Sequence, residues 1–239
     1  VNTLTVRGPL THLFHEHRRG GRLLFSGLRP NLVTDVGRTF VNAQGYSTSP
    51  GGNGLNYIAL SADALSETTT STSLSTEISS NGFTRAQGTF VGVGSMSSTT
   101  TTDSGGSGFA STGGTSCNVT SSTLYTSGST TYVYQVGTLL LVGGAELCLI
   151  SAVSSNNVTV ARGQYGTTAT AWASGSSVAP VNTSIIYYTF TATGSQTVQK
   201  GALFNAPSSG TMGHVASLGG SRSLLAGDTL LVAWYVCVG

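Results

Sequence analysis

The segment "LLAGDTLLVAWYVCVG" restricts the fold more than any other stretch of the chain. Read at a period of two, Leu230, Val232, Trp234, Val236 and Val238 point one way, and Thr229, Leu231, Ala233, Tyr235 and Cys237 the other. Both faces therefore call for cover. A strand of this kind is central in a sandwich or pressed against a neighbouring subunit, and "AGD" supplies the turn that launches it. Shorter runs of similar character, such as "YIALS", "FTRAQGTFVGVG", "SIIYYTFTAT", "QKGALFNA" and "TMGHVAS", recur between Gly, Ser and Asn turns. The expected class is all-β.

Composition matters here because it first suggests the opposite. Ser and Thr number 70 and Gly 33 among 239 residues, and charged residues are only 8% against about 25% in an ordinary soluble domain. Disordered chains, however, are poor in β-branched and aromatic residues and carry high net charge. This chain is 38% hydrophobic with a net charge of +2. At this length it can bury a core as one large β domain or two small ones.

The small net charge hides an asymmetry. Residues 1–38 hold Arg7, Arg18, Arg19, Arg22, Arg29 and Arg38 against Glu16 and Asp35, a balance of +4, and the remainder is −2. A basic segment on a nearly neutral body can dock on an acidic protein or on nucleic acid. Lysines are absent from it and no basic and aromatic repeat for base stacking appears, so protein contact is the expectation, through Arg18, Arg19, Arg22 and Arg29. Neither a signal-peptide pattern nor an apolar run near ~20 residues is present, so no membrane span is expected.

Candidate chemistry is sparse. "HLFHEH" groups His12, His15, Glu16 and His17, but two imidazoles at i, i+2 make only part of a metal site, and an exposed, variably protonated patch is the plainer reading. Cys117, Cys148 and Cys237 are odd in number and widely spaced, which favours buried free thiols. The acids are Glu16, Asp35, Asp63, Glu67, Glu77, Asp103, Glu146 and Asp228, most of them beside turns. Asp35 and Asp228 suit helix-start or turn roles, and Glu67, Glu77 and Asp63 in a polar loop are the first suspects for any glycan hydrolysis. No G-x-S-x-G elbow occurs, and His214 is the only His far from the N-terminal cluster that could serve as a base. "GVGSMS" and "GGSGF" lack the remaining phosphate-loop residues. The sequons at Asn118, Asn157 and Asn182 are no more than 11 Asn among so many hydroxyls would give by chance. The expectation is no catalytic, cofactor or metal site.

Two sets of blocks carry a resemblance. "NLVTDVGRTFV", "NYIALS", "LSTEISSNGFTRAQGTF" and "YTFTATGSQTVQKGALFNAPSSGTMGHVA…LLAGDTLLVAWYV" resemble, in order, blocks of tailed-bacteriophage virion proteins. "GAELCLISAVSSNNVTVARGQYGTTATAWASGSSV" resembles a small phage module of pattern "E...V.....N..TV.RGQ.GT.A..H..G..V", with Trp172 where that pattern has His. The first resemblance stops near Phe90 and resumes near Ile185, so the second module looks inserted into a loop of the first. The expected organisation has four parts. They are a basic arm over 1–45 with a short helix around "LVTDVGRTFVNA", a discontinuous domain of 46–94 plus 183–239, a Ser/Thr/Gly-rich linker over 95–130 and a small β module over 131–182. In fold terms this is an antiparallel β-sandwich with a small β-barrel-like module inserted in one loop.

The resemblance implies a virion structural protein on the particle surface, a capsid decoration or cement protein whose chemistry is packing. A tail, baseplate or fibre-attachment protein with a role in host-surface binding is the alternative. It implies no enzyme and no cofactor. The implied partners are other virion proteins (the major capsid protein or tail components) and copies of the chain itself, as a homotrimer. Host surface glycans are a further implied partner, and nucleic acid and membrane are not.

Overall fold

The computed structural model describes residues 10–30, 32–33, 54–92 and 95–237. Among these the regular elements are strands and two single 3-10 turns, at Gly108–Ala110 and Gln164–Gly166. In chain order come β1 (Leu10–Arg19), β2 (Arg22–Pro30), β3 (Leu32–Val33), β4 (Tyr57–Ser61), β5 (Ala86–Gln87) and β6 (Thr89–Val91). Then follow β7 (Thr99–Thr100), β8 (Ser116–Asn118), β9 (Thr123–Ser127), β10 (Thr130–Val133), β11 (Leu139–Val142), β12 (Glu146–Ser154), β13 (Asn157–Ala161) and β14 (Ser177–Pro180). The last four are β15 (Thr183–Thr191), β16 (Gln196–Phe204), β17 (Met212–Leu224) and β18 (Thr229–Cys237). The fold is all-β, with several antiparallel sheets in a sandwich or barrel arrangement, one of which curls into a half-barrel.

The chain divides into two compact units, one made of the described residues up to Phe90 with Ile185–Val236, the other of Val91–Ser184. In the first unit one sheet has the order β2-β1-β18-β15-β6 and the other β3-β17-β16-β4-β5. β18 is central, between β1 and β15, and this is where its two apolar faces go: Leu230, Leu231, Val232, Ala233, Trp234 and Tyr235 are all buried. Leu13, Ile186, Phe190, Leu230, Val232 and Trp234 from the first sheet meet Ile58, Leu60, Val198, Leu203 and Leu218 from the second in one core. Fully burying each such large side chain contributes about 1.5–3 kcal/mol. A second cluster of Ala59, Leu74, Ala202, Phe204, Met212 and Val215 includes Leu74 from the polar loop between β4 and β5.

The basic N-terminal stretch is not an arm over its described part. β1 and β2 form an antiparallel hairpin that joins the sheet through β18. Its two-residue turn is Gly20-Gly21, with φ of +54° and +79°, the left-handed pair that matches strand twist and that glycine adopts without steric cost. Leu13, His15 and His17 alternate along β1 and are buried. His15, Glu16 and His17 of the patch expected to be exposed are therefore inside, and the side chain of His12 lies outside what is described. The expected short helix begins at Leu32–Val33, which form β3, and otherwise lies outside the described residues.

The second unit has a six-stranded sheet, β7-β14-β11-β12-β13-β8, and the β9-β10 hairpin. Residues 95–130, expected as a linker, supply β7, β8 and β9 to it. Hydroxyls and one carboxylate make this possible. Asp103, 3% exposed, accepts from the Phe109 N–H at 2.6 Å and from the Asn118 N–H and Nδ2 at 3.1 and 2.9 Å. Thr101 Oγ1 donates to Ala173 O at 2.7 Å, and Ser121 N–H donates to Thr99 Oγ1 at 3.0 Å. Side chains rich in hydroxyl groups satisfy neighbouring backbone locally, so a composition that reads as linker builds ordered edge strands here.

Candidate functional site

Three charge clusters organise the loops, and every described candidate acid except Asp103 belongs to one. At the hairpin end Arg19 Nε and Nη2 donate to Asp228 Oδ1 and Oδ2 at 2.9 and 3.0 Å. Asp228 Oδ2 also lies 3.1 Å from His17 Nε2 and accepts the Leu225 N–H at 2.9 Å. The Arg19 guanidinium, against the cost of desolvation, holds the Asp228 carboxyl well below the usual carboxylate range, and the pair raises Arg19 in turn. Asp228 is thus a turn acid that ties β18 to β1. Arg18 pairs with Glu16.

Of the four arginines expected to bind a partner, Arg18, Arg19 and Arg22 gather at this hairpin end. Two of them are committed to intramolecular acids. Arg22 is exposed and no described residue pairs with it. Arg29 lies in β2, with its side chain outside what is described. Leu23 and Leu24, at 46% and 43% exposure, sit beside Arg22.

The second cluster holds the polar loop. Lys200, from β16, is fully buried, and its Nζ lies 2.8 and 2.9 Å from Glu67 Oε1 and Oε2 and 2.9 Å from Asp63 Oδ1. It also donates to Ser75 Oγ at 2.7 Å and Ala64 O at 3.1 Å. Burial alone would raise the Glu67 carboxyl, yet Lys200 and the Ser75 N–H bring it below its ordinary value. Asp63 is held far down, first by Ser61 and then by Lys200. Glu77 is bidentate to Arg85 at 2.9 and 2.6 Å, and Arg85 lies 3.6 Å above the Phe204 ring. General-acid catalysis of glycoside cleavage wants one carboxyl raised toward neutrality. Asp63 and Glu67 are moved the other way, and all three loop acids are engaged with cations. Beside them is an open depression of about 380 Å³ lined by Ser66, Glu67, Thr70, Ser71 and Ser75, without an aromatic ring.

The third cluster is the centre of the second unit. Glu146 Oε1 accepts from Arg162 Nε at 2.6 Å and the Gly163 N–H at 3.1 Å. Its Oε2 accepts from Arg162 Nη2 at 2.7 Å, the Thr170 N–H at 3.1 Å and Trp172 Nε1 at 2.8 Å. Desolvation pushes this carboxyl up, but Arg162, Thr170, Trp172 and Gly163 together bring it down to about 2. Trp172, where the phage pattern has His, supplies the N–H donor that an imidazole could also supply. Gly143 is required beside it, because a Cβ there would lie 2.2 Å from Trp172 Cζ3. The sequence marked Glu146, Arg162 and Trp172 as parts of a pattern but not as one network. Lys200, the single lysine of the sequence, set just before the apolar run GALF, is the local signal for the cation of the polar loop.

Other candidates are spoken for by structure. Cys117 and Cys148 are buried, and burial pushes both thiols up to about 12, far from the thiolate a nucleophile or metal ligand needs. The side chain of Cys237 lies outside what is described. His214 is 2% exposed, and burial lowers it to about 4. Asn118, Asn157 and Asn182 all use their side chains in hydrogen bonds. Among the described residues no three His, Cys, Asp or Glu are placed to hold a metal ion, and no helix is long and apolar enough to cross a membrane. Compared with protein-family models, with curated proteins and with solved structures, the chain matches none.

Proposed function

We propose that this chain is a structural component of a tailed-bacteriophage virion, a capsid decoration or cement protein on the head surface. In this reading the two five-stranded sheets are a β-sandwich, and the second unit is a barrel-like module inserted in one of its loops. The observation that carries the reading is where the resembling blocks fall. "YIALS", "GALFNA", "GTMGHVA" and "AGDTLLVAWYV" lie on β4, β16, β17 and β18, which contribute Ile58, Leu60, Leu203, Leu218, Leu230 and Trp234 to one core. In the module's pattern, Glu146, Arg162 and Gly163 close a single hydrogen-bond network.

The chain is proposed to act by packing, as a homo-oligomer, a trimer, against the major capsid protein. Exposed Leu23 and Leu24 beside the exposed Arg22 give such a contact an apolar centre and a charge. The alternative place in the particle is the tail, baseplate or fibre attachment, favoured by the exposed loop around Tyr165, which is 61% exposed. The test is copy number in purified particles. Copies on the order of hundreds support the head surface, about three to twelve support the tail or a vertex, and absence from particles overturns the proposal.

A further inference from the structure

Nine of the ten cationic side chains of the sequence are arginines, and the tenth is Lys200. Arg85 grips Glu77, Arg162 grips Glu146 and Arg19 grips Asp228, each through two nitrogens. A planar guanidinium matches a carboxylate and keeps its proton, so it suits a purely structural pair. Lysine differs in one chemical respect: its amine becomes a nucleophile when it gives up a proton in a desolvated place. Lys200 is in such a place. It is fully buried on β16, paired opposite Ser61 at the end of β4, and Asp63 stands two residues beyond Ser61.

We propose that Lys200 and Asp63 join in an intramolecular amide bond, with Glu67 relaying the protons. Lys200 Nζ lies 2.9 Å from Asp63 Oδ1 and 2.8 and 2.9 Å from the two Glu67 oxygens. The ionised contact is the resting state. With Lys200 fully buried and the Glu67 side chain 3% exposed, lost hydration brings that state closer in energy to the neutral amine and acid. Ser75 Oγ lies 3.0 Å from both Glu67 Oε1 and Asp63 Oδ2, and so bridges the two carboxylates. Along this path a proton from the Lys200 ammonium passes through Glu67 and Ser75 to Asp63 Oδ2. The amine lone pair then attacks Asp63 Cγ, and charge grows on Oδ1, to which Ser61 Oγ is hydrogen-bonded. A second proton follows the same path from the nitrogen, the Cγ–Oδ2 bond breaks, and one water leaves on the side where the Asp63 side chain is 40% exposed. Glu67 ends as it began. Condensation is unfavourable between free groups in water, but groups held in contact by a fold react as if at about 10⁵–10⁸ M. The inference goes beyond the assembly role and concerns the folded chain alone, so it and the copy-number test can fail separately.

The test is the intact mass of the purified full chain, kept folded overnight at neutral pH and then denatured for mass spectrometry. It is expected to be lighter than its sequence by one water. Trypsin cuts after arginine and free lysine but not after an acylated one. A digest is therefore expected to hold residues 39–85 and 163–222 in a single branched species, with the bond mapped by fragmentation to Lys200 and Asp63. Lys200→Arg keeps a cation beside both acids without the nucleophile, and is expected at its full sequence mass. Asp63→Ala changes a partly exposed side chain, and is expected to stay folded by circular dichroism and to lose no water. Glu67→Gln, which takes away the relay, is expected to leave the chain unlinked. The proposal is overturned if the parent has its full sequence mass, if residues 39–85 and 163–200 separate in the digest, or if the loss of water persists in Lys200→Arg or Asp63→Ala.

Discussion

Glu146 carries a charge on a side chain only 1% exposed, and its partner Arg162 is 6% exposed. An ion this deep is tolerable only when its lone pairs are met, and five N–H donors and the Cys148 thiol meet them. Removing one donor leaves part of a buried charge unsatisfied. Trp172→Phe, which deletes the Nε1 donor and keeps the ring, is expected to cost about 1.5–3 kcal/mol in denaturant unfolding, as hydrogen bonds to charged groups do. Trp172→His is expected to cost less, because an imidazole N–H can donate in its place. A Phe variant no less stable than His would show that packing on Gly143, not the hydrogen bond, sets the residue. The same carboxylate makes stability depend on pH. Its folded value of about 2 lies below its ordinary 4.5, so its contribution is full above about pH 4.5 and is lost as pH falls toward 2. Unfolding curves of the second unit measured down this range are expected to lose stability steadily, and Glu146→Gln, already missing the charge, is expected to show a flatter profile.

At the scale of elements, the hairpin shows where sequence reading stopped. β18 is legible because a period of two with both faces apolar has one comfortable place, the middle of a sheet. β1 and β2 carry an equally local signal, the Gly20-Gly21 dipeptide between alternating runs, but the eye goes to Arg18, Arg19 and Arg22 as free charge. What commits Arg19 is Asp228, 209 residues away, a partner that no local pattern reveals. The stretch 95–130 was illegible for the same reason, since Asp103 reaches Phe109 and Asn118 only once the loop is folded. These pairings sort the arginines. Asp228→Ala strips the acceptor from Arg19, buried His17 and the Leu225 N–H, and is expected to destabilise the first unit by about 1–3 kcal/mol. Arg22→Ser, on an exposed side chain without a described partner, is expected to stay within about 0.5 kcal/mol of the parent. It is therefore the clean probe of the proposed particle contact, and on that proposal reduced incorporation with unchanged unfolding is the expected outcome. A triple change that included Arg18 and Arg19 would confuse docking with folding.

At the scale of the whole molecule, the division into 91–184 and the rest decides where the chain can be cut. Excising 131–182, as the extent of the resembling module suggests, would cut through β10, remove β13 and β14 and leave β8 and β7 without the strands they pair with. That variant is expected to expose edges and aggregate. Excising 92–183 with a short Gly/Ser linker in its place keeps both five-stranded sheets of the first unit almost whole, since β6 and β15 already lie side by side in one of them. Its core residues all come from outside the excised segment. The chain has two tryptophans, and they fall one to each unit: Trp234 fully buried in the first, Trp172 in the second. The excised protein therefore reports on its own core through a single indole. It is expected to emit at the short wavelength of a buried Trp234 and to shift to the red in one cooperative transition with denaturant. Residues 91–184 made alone are expected to give a separate transition through Trp172. Red-shifted emission from the excised chain before any denaturant is added would mean that the first unit's core needs the second to close, and the two would then have to be treated as one cooperative body.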